Sequence, residues 1–386
     1  LPLRVLGVTG TNGKTTSAYL LEHLFTATGH KVGVLGTVSY RWPGHCEAAP
    51  LTTPDPLRVH AMLAAMAQAG GDIAVMEVSS HALEQQRVCG VPFAGASFSN
   101  LTQDHLDFHQ DMESYFRAKS RLFLELPRAD KVMAINGDDP WGRRLLELCP
   151  RALSFGLQKA LPQQRHLWGE LLSAGTDGCH LRMHLDGQQW ELRSPLVGAF
   201  NASNLLSVQA LALELGLMPD DLRHLEDFHG VCGRLERVPN ARKLHVFVDY
   251  AHTPDALVNV LKALRGAGFK RIVTVFGCGG NRDRTKRPIM GEAVARYSDV
   301  AVLTSDNPRF EDPEAILKDV LPGLREAREV VVEVDRRKAT AKAVEMLGPD
   351  DALLIAGKGH EDYQIIQGTK HHYSDQEVVR ELLGCA

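Results

Sequence analysis

Gly10-Thr11-Asn12-Gly13-Lys14-Thr15-Thr16 decides how this chain folds. The stretch follows a short apolar run, Val5 to Val8, and leads into a helical pattern, Thr15 to Thr28. Strand, glycine loop and helix are the order a phosphate-binding loop needs. Glycines let backbone N–H groups turn toward an anion, the helix N-terminus adds its dipole, and Lys14 adds a full charge. Thr15 carries the hydroxyl that can hold Mg2+. The usual loop has a further glycine where this chain has Val8, so a shorter variant is present. The competing reading is a tight strand-to-helix turn with a surface lysine.

Working outward, strand and helix alternate. Strand-like runs are Val5–Val8, Lys31–Gly36, Ile73–Val78, Ala94–Phe98 and Lys131–Ile135, with helical patterns at Thr15–Thr28, Leu57–Ala69, Met112–Phe123 and Pro140–Leu148. This alternation predicts a mainly parallel sheet covered on both faces. Leu161 to Pro195 has period-two stretches and an Asp186-Gly187 turn, which predicts an antiparallel insert, and a helix follows from Asn201 to Leu215. A second alternating run starts near Leu244. Its strands are His245–Val248, Arg271–Phe276, Val300–Thr304, Val330–Val334 and Ala352–Ala356. Its helices are Pro254–Arg265, Pro288–Tyr297, Pro313–Arg325, Arg337–Leu347 and Asp375–Leu383. The expected fold class is α/β: a central P-loop ATPase-like domain over residues 1–236, then a Rossmann-like domain over 237–386.

Composition excludes several classes. The 386 residues suit two domains, and 44% hydrophobic with 23% charged residues is ordinary for a soluble globular chain. A net charge of −4 argues against nucleic-acid binding. No apolar run approaches the roughly 18 residues of a membrane span. The seven cysteines are scattered without a Cys-x-x-Cys pair, so neither a disulfide framework nor a zinc ribbon is indicated and a cytoplasmic setting fits. The chain opens at Leu1 rather than Met, which suggests a fragment or processed chain lacking an N-terminal domain.

Ligands of open α/β sheets bind at the carboxyl ends of strands, so polar residues there carry weight. Glu77 closes an apolar run and precedes Ser79-Ser80-His81; it is either a metal-sharing carboxylate or a capping glutamate. Asn100 to His109 packs two acids, two histidines and an asparagine into ten residues, which suits oxygen-rich Mg2+ coordination or a hydrogen-bonded loop. Lys119 lies within the apolar stripe of Tyr115, Phe116, Leu122 and Phe123. Burial there lowers a lysine pKa and yields a neutral amine able to take up CO2 as a carbamate; the plainer reading is a lysine snorkelling to solvent. In the second run, Asp249-Tyr-Ala-His252, Gly277 to Asp283, Asp306-Asn-Pro-Arg309 and Gly357-Lys-Gly-His-Glu361 follow four strands and mark a ligand-binding edge.

Together these motifs resemble the Mur ligase family, ATP-dependent amide-bond-forming enzymes of peptidoglycan synthesis. The resemblance rests on Gly10–Thr16, Glu77-Val-Ser-Ser-His81, Asn100-Leu-Thr-Gln-Asp-His105, Gly198-Ala-Phe-Asn201-Ala-Ser-Asn204, Gly233-Arg234, Asp249–His252 and Gly357–Glu361, in family order over essentially the whole chain. It implies that Gly10, Thr11, Asn12, Gly13, Lys14, Thr15 and Thr16 hold the ATP phosphates. Thr15, Glu77, His105 and a carbamylated Lys119 would be ligands of Mg2+. Asn201 and Asn204 would face the nucleotide base, while Arg234, Asp249 and His252 would make inter-domain ATP contacts. Lys14, Glu77, His105, Lys119 and Arg234 would form the catalytic set.

The resemblance also implies substrates. Thr52, Thr53, Ser79, Gln85 and Arg87 would contact a UDP-MurNAc-dipeptide, with Leu51 replacing an expected asparagine. Arg282, Asp306, Asn307, Pro308, Arg309, Gly357 and Glu361 would bind meso-diaminopimelate. A substrate carboxylate would attack the ATP γ-phosphate, and an amine would then displace phosphate from the acyl phosphate. Phosphoryl transfer of this kind needs positioning and charge neutralisation from protein. Small molecules are the expected partners, without nucleic acid or membrane, and the expected state is a monomer. Rival readings are the same ligase using L-lysine or another diamino acid, a folylpolyglutamate synthetase-like ligase, and a non-catalytic ATP-dependent regulator.

Overall fold

Val5–Val8 and Ile73–Met76 are unbroken apolar runs, and each forms a strand buried along almost its whole length. Burial on both faces is what central strands of a parallel sheet require. The computed structural model describes residues 3–159 and 164–384, without the side chains of 106, 107 and 127–129. The chain divides into two compact units: residues up to Ser173 with Gly178–His229, and Ala174–Asp177 with residues from Gly230 onward.

The first unit has strands β1 (Arg4–Thr9), β2 (Val32–Leu35), β3 (Ser39–Trp42), β4 (His45–Ala48), β5 (Ile73–Glu77), β6 (Phe93–Phe98), β7 (Pro127–Asn136), β8 (Leu153–Gly156), β9 (His166–Gly175), β10 (Gly178–Leu185) and β11 (Gln188–Ser194). Its helices are α1 (Lys14–Ala27), α2 (Pro56–Gln68), α3 (Ser80–Glu84), α4 (Leu106–His109), α5 (Met112–Leu124), α6 (Pro140–Leu148) and α7 (Ala199–Glu214). The strands form one sheet in the order β11-β10-β9-β8-β7-β6-β1-β5-β2-β3-β4. β1 pairs in parallel with β5 on one side and β6 on the other, with Val8 opposite Glu77 and Thr9 opposite Phe98. This register brings the ends of three strands to one edge, so the glycine loop, Glu77 and Ser99-Asn100 emerge together. Val5, Met76, Phe93, Phe98, Phe116 and Phe123 belong to the core beneath that edge.

The second unit has strands β12 (Glu236–Arg237), β13 (His245–Asp249), β14 (Arg271–Phe276), β15 (Val300–Leu303), β16 (Val330–Val332), β17 (Asp351–Ala356), β18 (Tyr363–Ile366) and β19 (Thr369–His372). Its helices are α8 (Pro254–Gly266), α9 (Lys286–Tyr297), α10 (Pro313–Val320), α11 (Arg336–Glu345) and α12 (Asp375–Leu383). Six strands make a sheet ordered β12-β13-β17-β14-β15-β16, parallel except for β12, and β18 pairs with β19. Val246, Val248, Val273, Val275, Leu353 and Ile355 pack in its core.

The expected fold class holds, with local differences. Gly230–Glu236 clusters with the second unit rather than the first. The tie is physical: β12 pairs with β13, and the Leu235 N–H donates to the Asp249 carboxylate at 2.5 Å. The expected insert begins at Leu161, which lies outside the described residues; its first strand, β9, joins β8 in parallel, and β10 and β11 pair antiparallel. The helix expected over Pro313–Arg325 stops at Val320 and continues as a 3-10 turn, Leu321–Leu324. Pro322 supplies the reason, since it has no N–H to continue the α pattern.

Candidate functional site

α1 starts directly after Gly13, which takes φ 89° and gives the helix no side-chain cap. A Cβ at Gly13 would also lie 2.3 Å from Asn204 Oδ1, so a side chain there meets both strain and a clash. By contrast α2, α3, α5 and α6 are capped by Asp55, Ser79, Asp111 and Asp139. Helix N-terminal amides need partners, and without a side-chain cap they suit an anion. The loop is shaped by neighbours. Asn12 N–H donates to Asn100 Oδ1 at 3.0 Å, and Asn100 Nδ2 and Ser99 Oγ donate to the Asn12 carbonyl at 3.1 and 2.6 Å. Lys14 Nζ donates to the Gly10 and Thr11 carbonyls, each at 2.8 Å. On α7, Asn201 and Asn204 are buried and bonded to each other at 3.1 Å.

Glu77 ends β5 fully buried. Its Oε2 accepts from Thr15 Oγ1 at 2.9 Å and Thr37 Oγ1 at 3.0 Å, and its Oε1 accepts from Thr37 N–H at 2.9 Å. A carboxylate beside a hydroxyl fits the oxygen preference of Mg2+. The residues expected to bind the UDP-linked substrate gather beside it. Thr53 Oγ1 donates to the Glu77 carbonyl at 2.8 Å, Thr52 shares a hydroxyl contact with Thr37 at 3.1 Å, and Ser79 N–H donates to Thr53 Oγ1 at 3.1 Å. Arg87 reaches the Thr53 carbonyl at 3.0 Å and Gln85 Oε1 at 2.9 Å.

Lys119 is 1% exposed, among the buried Tyr115, Phe116, Leu122 and Phe123 of α5. Its Nζ donates to the Gly10 carbonyl at 2.8 Å and lies 4.8 Å from the Tyr115 ring centroid. Burial pushes its pKa well below the usual lysine range, and the Lys14 charge adds to that. His105 takes a left-handed φ of 53° and sits in a ring cluster, 4.8 Å from His81 and 6.2 Å from Tyr115. Among the described residues, no three His, Cys, Asp or Glu side chains converge to hold a metal. Glu77 and Thr15 are thus brought together, while His105 is packed with other rings.

In the second unit, the ends of β13, β14, β15 and β17 border a cleft of about 300 Å3 lined by His252, Arg282, Asp306, Asn307, Arg309, Gly357 and Glu361. Arg309 takes φ 54° and donates to the Gly280 carbonyl at 2.9 Å. Gly280 allows this approach, because a Cβ there would lie 1.9 Å from the Pro308 carbonyl oxygen. Burial raises the Glu361 carboxyl pKa, opposed by its bond from Asn307 at 2.9 Å. Asp249 accepts from the Leu235 and Ala251 N–H groups, and burial raises its pKa against the pull of Arg234. The Arg234 guanidinium lies 4.8 Å over the Tyr250 ring, and its Nε is buried without a hydrogen-bond partner. Sequence reasoning placed Arg287 beside the Gly277–Asp283 loop and Lys358 within the Gly357–Glu361 motif, but did not read either as a buried cation. Lys358 is fully buried, and Arg287 is 1% exposed and paired with Glu311 at 2.9 Å and Asp319 at 2.8 Å. An apolar stripe reveals a buried lysine on a helix, whereas a Gly-Lys-Gly loop has no period to reveal one.

The geometry is matched by known proteins. Residues 8–212 match the Mur ligase middle domain, and residues 233–359 match the Mur ligase, glutamate ligase domain. The chain belongs to the Mur ligase family. It is 57% identical over 386 residues to a UDP-N-acetylmuramoyl-L-alanyl-D-glutamate–2,6-diaminopimelate ligase of Lawsonia intracellularis, covering 100% of this chain and 80% of that protein. It is 44% identical to the ligase of the same name from Aquifex aeolicus, covering 99% and 78%. A solved structure of such a ligase superposes with a TM-score of 0.73 at 35% identity, covering 99% of this chain and 78% of the other. Members of the Mur ligase family are ATP-dependent ligases, and the two compact units follow the order of the two matched domains. Among the described residues, no helix is long and apolar enough to cross a membrane.

Proposed function

We propose that this chain is a cytoplasmic, monomeric, ATP-dependent ligase that joins meso-diaminopimelate to UDP-N-acetylmuramoyl-L-alanyl-D-glutamate, with residues 1–236 and 237–386 as its functional domains. The observation that carries this reading is the second-unit cleft, which presents both signs of charge at Arg282, Arg309 and Glu361. A diamino dicarboxylic acid has a carboxylate and an ammonium at its distal end, and such a cleft can pair both. In the first unit, the amides of α1, with Gly10, Thr11, Asn12, Thr16 and Lys14, would hold ATP phosphates. Asn201 and Asn204 would border the base, and Arg234, Asp249 and His252 would complete the nucleotide contacts.

Thr15 and Glu77 would hold Mg2+, with His105 and a carbamylated Lys119 as further ligands; the ion would neutralise phosphate charge. Thr52, Thr53, Ser79, Gln85 and Arg87 would hold the UDP-linked acceptor of phosphate, and Asp306, Asn307, Pro308 and Gly357 would shape the amino-acid cleft. Lys119 would gain its carbamate when the neutral amine attacks CO2: an N–C bond forms and a proton leaves to solvent. ADP release measured with the UDP-dipeptide and each candidate amino acid tests the reading. Release should need both substrates and be fastest with meso-diaminopimelate. Release no faster with it than without an amino acid overturns the proposal.

A further inference from the structure

Lys358 is fully buried beneath the amino-acid cleft. An ammonium has three protons to place. Its Nζ donates to Asn307 Oδ1 at 3.0 Å and the Tyr363 carbonyl at 2.7 Å, and pairs with Asp306 Oδ1 at 3.3 Å. The last is an ion pair without the direction of a hydrogen bond, since Asp306 Oδ1 has no hydrogen-bond partner. Asn307 Oδ1 also accepts from the Ile365 N–H at 3.0 Å. Two donors on one side settle which way this amide faces, because the reversed amide would set NH2 against both. Its nitrogen is thereby turned to Glu361 Oε2, at 2.9 Å. Lys358 also pairs directly with that carboxylate at 3.9 Å, so it bears on Glu361 both by its own charge and through Asn307.

We propose that Lys358 is a positioning residue for amino-acid selection: by holding Asn307 Oδ1 it turns the amide toward Glu361 and aims that carboxylate at the distal ammonium of the incoming amino acid. The proposal rests on the diaminopimelate reading above. A positioned carboxylate discriminates between amino acids with and without that ammonium, whereas a loosely held one does so weakly. The selective element is therefore a buried cation that never touches the ligand.

The test compares meso-diaminopimelate with 2-aminopimelate, which keeps the distal carboxylate and lacks the distal ammonium. In the parent, kcat/KM should favour diaminopimelate. In Lys358→Met that preference should fall about tenfold, the size of one charge-assisted hydrogen bond, while KM for ATP stays unchanged. In the Glu361→Gln background, adding Lys358→Met should not lower the preference further. An unchanged preference in Lys358→Met, or fully additive losses in the double variant, overturns the proposal. If Lys358→Met does not fold, Asn307→Leu decides: it keeps Lys358 and cuts the link, and an intact preference overturns the assignment. A parent that ligates neither amino acid fails the underlying reading instead, so the two failures are distinguishable.

Discussion

Lys14 and Lys119 donate to one atom: each Nζ lies 2.8 Å from the Gly10 carbonyl oxygen. Two like charges on one acceptor oppose each other, and the Lys14 charge is a named cause of the depressed Lys119 pKa. A carbamate at Lys119 would replace this repulsion with attraction.

Lys119 should therefore be carbamylated, and activity should depend on pH in a fixed direction. Its folded pKa is lowered, so the neutral amine persists well below the usual lysine range. Because carbamate formation releases a proton, raising pH favours it and lowering pH reverses it. Activity lost on acidification in CO2-free buffer should return with bicarbonate at higher pH. Lys119→Ala should lose about 100-fold or more and recover partly with short carboxylic acids. A plain ammonium in a high-resolution map near neutral pH, with an active alanine variant, contradicts this.

Lys14→Ala should abolish ligation while leaving the fold intact. The lysine bonds the Gly10 and Thr11 carbonyls of its own loop and is no part of the apolar core beneath it. The missing charge should remove several kcal/mol of transition-state stabilisation, about 100-fold or more in rate. Circular dichroism with single-turnover kinetics checks both halves; near-normal turnover rejects the phosphate role of this loop.

Arg309 should set the choice between meso-diaminopimelate and L-lysine. With lysine bound, the guanidinium would face an ammonium in place of a carboxylate, costing about 2–5 kcal/mol, or roughly 30- to several-thousand-fold. The comparison is kcat/KM for both amino acids in the parent and in Arg309→Ala. A parent indifferent to the two, or a ratio unmoved by the substitution, sinks the assignment.

Gly280→Ala should damage the cleft without touching a charge. Its Cβ would lie 1.9 Å from the Pro308 carbonyl oxygen, so the Asp306–Arg309 loop must shift. The stability loss should be about 1–3 kcal/mol by overpacking, with KM for the amino acid raised and KM for ATP unchanged. Thermal unfolding and initial rates measure these, and an unaltered amino-acid KM speaks against a tightly packed loop.

Much of this was legible because period and order leave a trace in sequence. Val5–Val8 and Ile73–Met76 announce central strands, and Lys119 betrays its burial by falling in an apolar stripe. The hairpins β3–β4 and β18–β19 escaped notice, since all four strands are only four residues long and β4 and β19 are mostly exposed, with little alternation to detect. The 3-10 break before Leu324 was foretold by Pro322 and overlooked. The burial of Lys358 and Arg287 could not be read: the side chains that hold them, Asn307 for one and Glu311 and Asp319 for the other, come from separate segments of the chain.

The left-handed backbone of Arg309 sets stability against selectivity. A non-glycine residue at φ 54° carries strain of about 1 kcal/mol. Glycine at this position would relax the turn and forfeit the guanidinium's bonds to the Gly280 carbonyl at 2.9 Å and, more weakly, the Asn307 carbonyl at 3.4 Å, effects of similar size. The folded state is thus nearly indifferent to the arginine, and thermostability screening would discard it freely. Only a screen that scores which amino acid is joined would keep it.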